Sequence, residues 1–517
     1  MSAVPANQNK FGEEITDDIK DTTETTVDYV DDGTGVRHVN REPESLRGLS
    51  DDERKRLERK LVRKMDLIIL PIVGILYILN YIDRQNLAAA KLQGIMEDLN
   101  MDANQFATAV SILFVGYLPL QIPSNLLITR FKRPGMYICT AVVIWGAISA
   151  ATAAVQSYKQ LLAVRAILGG VEAVFFPGAI YYLSAWYPKR ELGKRLAGLY
   201  IAQQFGNAFG GLLAAAILQL KGVHGIAGWR WLFIIEGSAT VGIGAICALL
   251  MPEYPHNARV LNQLERDLAV WRIESESGAA EGHEEVGVLK SFGMALKDPK
   301  VYMLIFMNMM SQGQGSIANF FPSIVKSLGY NSTISLVLTA PPYILAGILY
   351  YFLSFWSDKR HTVYPLILMC ISVACIMYII PMSTTSIGAR YFSMMILPVS
   401  SVGPQILLFK TLNLHLARPV AKRAAATALM NAIGGTSNIW ASYLYDAPPH
   451  YFKAFGTLIA CAIVFALTLT FYRWWVLREN RRLDSGDLAA IEKVKRGGVT
   501  QEMVDLGWRY EMFDGHF

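Results

Sequence analysis

Apolar positions in this chain do not alternate with polar ones; they run together in long blocks. Crossing a hydrocarbon layer as a helix takes roughly 20 such residues. Uncharged runs of that size recur at 103–129, 134–158, 196–220, 301–325, 327–357, 361–389, 391–409, 424–445 and 454–472. Three further spans, 66–90, 160–187 and 229–251, are apolar but carry embedded charge. Nine plus three predicts twelve membrane-spanning helices. Trp186, Trp229, Trp231, Trp356, Trp474 and Trp475 fall near the span ends, where an interfacial aromatic belt would hold them. The expected fold class is an all-α membrane protein.

The loops set orientation and reveal a repeat. Alternate loops hold RFKR at 130–133, PKRELGKR at 188–195, DKR at 358–360 and RPVAKR at 418–423, with 3, 4, 2 and 3 Lys plus Arg. The intervening loops carry about one base each, so the positive-inside rule places both termini in the cytoplasm. The sequon Asn331-Ser332-Thr333 then falls on the outer side, close to two helices. RFKRP at 130–134 corresponds to SDKRH at 357–361, and GKR at 193–195 to AKR at 421–423. Offsets of 227 and 228 predict two pseudo-symmetric six-helix halves as parallel repeats, with a site near the midplane between them. The division expected is a tail at 1–64 ending in a short basic helix capped at Ser50, and a first half at 65–251. A connector at 252–298 with an amphipathic stretch, a second half at 299–476 and a tail at 477–517 complete it.

Composition narrows the classes. Of 517 residues, 53% are hydrophobic and 17% charged, against about 25% charge in soluble chains. An ordinary soluble enzyme is excluded. The net charge of +6 sits in short loop clusters, which argues membrane topology rather than nucleic-acid binding. Cys139, Cys247, Cys370, Cys375 and Cys461 each lie in an apolar run without a CxxC pair, as small buried hydrophobes do. Histidines fall in loops without metal-ligand spacing, and GNAFGG at 206–211 lacks the GK[ST] ending of a phosphate cradle. No enzyme, metal or cofactor is expected, and the energy source would be a proton gradient. The acidic, Thr-rich 1–50 reads as a disordered tail open to phosphorylation. A monomer is the default for two fused halves, and the plasma membrane is the expected location.

Charges inside the spans are costly and are therefore the first functional candidates. In 66–90 the run Asn80-Tyr81-Ile82-Asp83-Arg84-Gln85-Asn86 places Asp83 in the outer half; the alternative is an Asp–Arg pair marking the helix end. In 160–187, Arg165 and Glu172 are seven apart and share a face, with Gly169 and Gly170 allowing close packing between them. An Arg fork binds a carboxylate, and a Glu can load and unload a proton, so the set suits a proton-coupled anion carrier. A structural Arg165–Glu172 brace is the alternative. Gln203, Gln204, Asn207, Gln312, Gln314, Asn319, Gln405, Asn431 and Asn438 would either contact substrate or pack the bundle. Glu236 would be a second protonation site or a partner of Arg230 or a cavity Tyr, and Lys410 would snorkel toward the cytoplasm.

Three motifs converge on a family: Asp83-Arg84-x-Asn86, the run Arg165…Gly169…Glu172…Pro177-Gly178, and Trp229-Arg-Trp-x-Phe-x-x-Glu236-Gly. Over about residues 60–480 the chain resembles the anion:cation symporter branch of the major facilitator superfamily. Within that branch it is most similar to the fungal allantoate permease family, which includes nicotinate, pantothenate, biotin and allantoate carriers. The resemblance implies that Asp83 and Glu172 are a protonatable pair, and that Arg84 and Arg165 address the substrate anion or hold the acids. It also implies that Tyr81 and Gln203 line the cavity; Asn431 is a further substrate candidate. The superfamily loop Gly-x-x-x-Asp-Arg is Asn125-Leu-Leu-Ile-Thr-Arg130 here, whereas Trp356-Ser-Asp358-Lys-Arg360 keeps it better, making Asp358 and Arg360 the gating-loop candidates. The expected function is secondary active transport, proton-coupled uptake of a small organic anion through the lipid bilayer. An exporter of a secondary metabolite or drug, and a transporter-shaped nutrient receptor, are the alternatives.

Overall fold

Backbone polar groups in hydrocarbon must bond within their own segment, which makes helices the default for long apolar blocks. The computed structural model describes residues 43–496 except 129, 281–287, 361 and 417–419. The Thr-rich N-terminal stretch lies outside the described residues, as do 497–517. Six helical segments form the first half: α1 Asp51–Lys91, α2 Ala103–Ile128, α3 Pro134–Ala151, α4 Tyr158–Ser184, α5 Lys189–Ile217 and α6 Gly228–Leu250. In the second half, α8 is Ser332–Arg360, α9 Tyr364–Ser383, α10 Ile387–His415 and α12 Phe452–Asp484. These ten are long and apolar enough to cross a membrane. Two broken segments bring the spans to twelve: α7 (Pro299–Gly315, Ser316–Phe320 and Phe321–Lys326) and α11 (Val420–Gly435, Ser437–Ala441 and Ser442–Leu444). Both are interrupted near glycines and diluted by amides such as Gln312, Asn319, Asn431 and Asn438.

The two halves repeat one packing scheme. In the first, α1 packs on α5, α2 on α4 and α3 on α6; in the second, α7 packs on α11, α8 on α10 and α9 on α12. The 227–228 offset in the loops is thus a repeat in three dimensions. Across the halves, α5 lies along α8 and α2 along α11. Further ties gather at the end remote from the termini. Ser332 Oγ donates to the Leu92 carbonyl at 3.1 Å, and Ser111 Oγ to the Ile439 carbonyl at 2.9 Å. The Thr108 and Tyr443 hydroxyls meet at 3.0 Å. The Lys91 ammonium sits 4.7 Å from the Phe106 ring and 5.8 Å from that of Phe320.

Ion pairs brace each half at the end bearing the termini. Arg195 Nε meets Asp66 at 3.0 Å, Lys64 meets Glu265 at 2.7 Å, and Arg272 joins Glu58 at 2.7 Å and Glu191. These tie the connector helix Gln263–Ala280 to the first half. In the second half, Asp298 caps α7 through the Lys300 amide at 3.0 Å and pairs with Lys422 at 2.7 Å. Burial is the largest single influence and would raise the Asp298 carboxyl, but the charges and hydrogen bonds of Lys422 and Lys300 together hold it below its ordinary value.

Several expectations change. The basic segment after Ser50 is not a separate short helix: it is the start of α1, capped by a reciprocal Ser50–Glu53 box and continuous through Lys91 because no breaker intervenes before Pro71, which the helix absorbs. Trp186 and Trp229 are not interfacial but buried in the core; the Trp229 indole donates to Asp98 at 2.7 Å, fastening α6 to the helix Ile95–Asp98. Trp356 and Trp474 do remain half exposed. Lys410 does reach the end of α8 that bears the basic loop, where it donates to Ser357 Oγ at 3.0 Å and pairs with the exposed Asp358. Asn331 is already engaged, its side chain accepting from the Ile334 amide at 2.8 Å.

Replacing Lys422 with Met should lower stability by about 2 kcal/mol near neutral pH, the scale of a lost charged hydrogen bond. Because Asp298 is depressed, the wild-type advantage is complete above the unfolded carboxylate value of about 3.9 and closes as pH falls through the lower folded value. Thermal unfolding of both proteins in detergent across this range checks the sign.

Candidate functional site: the central cavity

The α1 turn at 77–86 sorts its side chains by helical period. Tyr77, Asn80, Tyr81, Arg84 and Gln85 share one face and line a central cavity, whereas Asp83 and Asn86 turn away from it. With its mouth included, this cavity encloses about 1310 Å³. From α5 come Gln203, Gln204 and Asn207; from the second half come Gln312, Asn319, Tyr343, Gln405, Asn431 and Asn438. Asn431 and Asn438, seven apart, do face one way. Cross-links order these amides: Gln85 Nε2 donates to Asn207 Oδ1 at 3.1 Å, and Asn438 Nδ2 to Gln312 Oε1 at 3.4 Å. Gln314 is not on the wall; its Nε2 donates back to the Met310 carbonyl at 3.3 Å.

Charge enters through α1 and α4. Arg84 Nε donates to Glu172 Oε2 at 2.8 Å, with Glu172 0% and Arg84 17% exposed. The guanidinium also stands 4.7 Å from the Tyr117 ring and 5.4 Å from the Tyr81 ring, which holds it against the wall. Glu172 Oε1 is buried without a hydrogen-bond partner among the described residues. Arg165, 3% exposed, donates through Nε to the Ala109 carbonyl at 3.4 Å, while its buried Nη1 has no partner among the described residues. A side chamber of about 300 Å³ lies between Arg84 and Arg165, with Phe114 and Asn319 on its wall. Arg84 on α1, rather than Arg165 on the acid's own helix, thus donates the hydrogen bond that Glu172 accepts.

A backbone contact sets this arrangement. A methyl group on Gly169 would overlap the Leu113 carbonyl of α2, and one on Gly116 would overlap the Ala166 carbonyl of α4. Glycine at both positions lets α2 and α4 touch, pressing the Arg165–Glu172 segment toward α1.

Asp83 sits elsewhere. It is 1% exposed and accepts from Trp145 Nε1 at 3.0 Å, Ser149 Oγ at 2.9 Å, Thr240 Oγ1 at 3.3 Å and Asn86 Nδ2 at 3.4 Å. It neither pairs with Arg84 nor marks a helix end; α1 runs two further turns to Lys91. Glu236 is buried near Asp83, one turn before Thr240, and is not the partner of Arg230, whose guanidinium bonds the Ala153 carbonyl and lies over Trp229. Asp358 and Arg360 lie off the cavity, Asp358 on Lys410 and Arg360 over the Trp356 ring at 5.5 Å. The cavity tyrosines Tyr117, Tyr200, Tyr343 and Tyr350 escaped sequence reasoning. The spacing of Tyr343 and Tyr350, seven apart on one span like the two asparagines, was the available signal.

Two six-helix bundles around a polar central cavity define a multi-pass membrane carrier. A family model described as Major Facilitator Superfamily matches residues 73–442, and the chain belongs to that superfamily. It is 33% identical over 433 residues to an uncharacterized transporter of Schizosaccharomyces pombe, covering 83% of this chain and 88% of the relative. It is 31% identical to the MFS-type transporter cnsO of Penicillium expansum, covering 87% and 89%. Among solved structures, a bacterial homolog of the human lysosomal transporter Spinster, inward-facing and unoccupied, aligns with a TM-score of 0.62 at 15% identity, covering 78% of this chain and 95% of that one. A D-xylose-proton symporter aligns with a TM-score of 0.60 at 14% identity, covering 79% and 97%. The chain is a secondary transporter by family and fold.

Asp83→Asn should destabilise the protein by about 1–3 kcal/mol, because an amide placed among four donors leaves buried hydrogens unpaired; intrinsic fluorescence during thermal unfolding, with Trp145 as reporter, measures it. Gly169→Val should separate α2 from α4 and break the Arg84–Glu172 contact. A cysteine cross-linking pair placed on α2 and α4 should then lose efficiency relative to the glycine parent.

Proposed function

We propose that this transporter takes up a small organic anion together with protons by alternating access, with Glu172 as the coupling acid. The observation that carries the reading is the Arg84–Glu172 pair, its guanidinium lining the cavity and its carboxylate buried behind, with one oxygen unpartnered among the described residues. A proton on Glu172 neutralises the acid and releases the Arg84 fork to a substrate carboxylate, which an Arg binds through paired hydrogen bonds. Loss of that proton restores the internal pair, and the substrate is displaced. Proton and anion thus compete for opposite members of one ion pair, which links their movements. Arg165, which borders the side chamber and whose Nη1 has no partner among the described residues, supports a second cationic contact for the anion or for Glu172. Tyr81, Gln203 and Asn431 would contact the substrate body.

This reading moves the proton role from the Asp83–Glu172 pair to Glu172, since four donors engage Asp83 away from the cavity. Asp83 serves as the anchor that holds α1 against α3 and α6. The ties at Lys91, Ser111 and Ser332 support a state closed at the end remote from the termini. With basic loops on the cytoplasmic side, that state is inward-facing in a plasma-membrane carrier with both termini inside.

Cells expressing the chain should accumulate one of a panel of labelled acids, nicotinate and pantothenate among them, more strongly at acidic than at alkaline external pH, and a protonophore should abolish the difference. Glu172→Gln should remove pH-driven accumulation while leaving exchange of labelled for unlabelled substrate partly intact. A mutant that concentrates substrate as wild type does would falsify the coupling assignment, and net efflux by the wild type would reverse the direction.

A further inference from the structure

The start of α1 carries a second charged surface, ahead of its apolar stretch. From Arg54 to Lys64 it holds seven bases against one acid. One side is engaged: Lys64 pairs with Glu265, Glu58 pairs with Arg272, and Leu61 and Met65 are buried in the core that includes the connector helix. Lys55, Arg56, Arg59, Lys60 and Arg63 fall on the opposite side, within an arc of about 140° at 3.6 residues per turn. All five are exposed, and none forms an ion pair among the described residues. Arg59 Nε donates to the Lys55 carbonyl at 3.2 Å, and Lys60 stands farther from Glu265 than Lys64 does. Neighbouring acids are committed elsewhere, Glu53 to the helix cap and Asp66 to Arg195, which leaves only Asp51 and Asp52 in the first turn. Like charges four apart, as in Lys55-Arg59-Arg63 and Arg56-Lys60, destabilise a helix unless an anion covers them.

The stripe shares a face with the cavity wall. Continued along the helix, its arc takes in Leu67, which is 77% exposed, and Gly74, where an added methyl would meet nothing within 4 Å. It then reaches Tyr77, Tyr81 and Arg84 of the wall. Arg63 lies about 21 Å from Tyr77 along the axis. The ties between the halves gather at the other end, so the stripe borders the open mouth. The chain itself supplies an anionic cover: residues 13–32 carry nine acids and one base. Eleven residues join Asp32 to Pro43, the first described residue, a reach of up to about 36 Å. We propose that residues 13–32 dock on the Lys55–Arg63 stripe and cover the mouth of the cavity, so that the chain's own tail restrains access from that side. Tethering makes the encounter intramolecular, so ion pairs that are individually weak at an exposed surface suffice. A membrane surface fits less well, because the stripe follows the cavity face of α1.

Zero-length carbodiimide coupling of the purified full-length protein in a neutral detergent, read by mass spectrometry, tests the docking. It joins a carboxylate to an ammonium only where the two touch, and Lys64–Glu265 at 2.7 Å is the built-in reference. Lys55 and Lys60 should couple to carboxylates of 13–32 within one molecule. Raising salt from about 0.1 M to about 1 M shortens the screening length from about 10 Å to about 3 Å and should cut those couplings at least about fivefold, more than it cuts the reference. Absence of tail coupling beside an intact reference overturns the proposal. Coupling only between isotopically distinct copies overturns it in favour of another copy's tail. Loss of the couplings in phosphatidylserine vesicles but not in phosphatidylcholine vesicles overturns it in favour of the membrane. For the mouth, Gly74→Cys would be reacted with a bulky maleimide and read above the background of the parent. Replacing the nine acids by amides should speed that reaction at least about fivefold, the scale of one good exposed ion pair. Equal rates with the couplings intact overturn the covering of the mouth.

Discussion

The buried ion pair between Arg84 and Glu172 is the constraint around which the first half is organised. A carboxylate with no exposed surface needs a cation within reach, and the cation here belongs to a different helix from the acid. To bring the two together, α4 must lie against α2 closely enough for backbones to touch, and α1 must turn a chosen face toward both. Tyr117 and Tyr81 then hold the guanidinium between the acid and the open cavity. The contact is consequently both a brace and a point of access.

That arrangement explains how much of the site was legible in the sequence. Long apolar blocks, their number and the repeated basic loops were readable because lipid permits few alternatives. Buried charge was readable because it is rare in such blocks, and Asp83, Arg84, Arg165 and Glu172 stood out for that reason. The pairing was not. Spacing of seven puts Arg165 and Glu172 on one face of α4, but which cation bonds the acid depends on how α1 and α4 meet, and that rests on contacts remote in sequence. Asp83 and Arg84 are neighbours in the chain yet face opposite ways, one into the packing of α3 and α6, the other into the cavity. Adjacent letters of one motif thus belong to separate environments. Tyr117, Tyr200, Tyr343 and Tyr350 were missed because a phenol carries no charge to mark it inside an apolar span, and the spacing of Tyr343 and Tyr350 was the only trace it left.

The second half follows the same helix pairings with different chemistry. Its two broken segments, α7 and α11, are those that place amides on the cavity wall. Glycine and amide content makes these spans poor continuous helices, and the interior of a bundle, where side chains and backbone find polar partners, tolerates the interruptions. One half therefore supplies charge, the other supplies neutral hydrogen-bonding capacity, on a shared scaffold.

The continuity of α1 has a mechanical meaning. Its 41 residues form a rod of about 60 Å. One end is pinned by Asp66 to Arg195 and by Lys64 to the connector helix; the other end carries Lys91 between aromatic rings of both halves. Arg84 lies on the same rod, seven residues short of Lys91. A helix held at both ends cannot tilt at one without registering at the other. Any force that the connector exerts on the pinned end is felt at the far seal, with Arg84 close beside it.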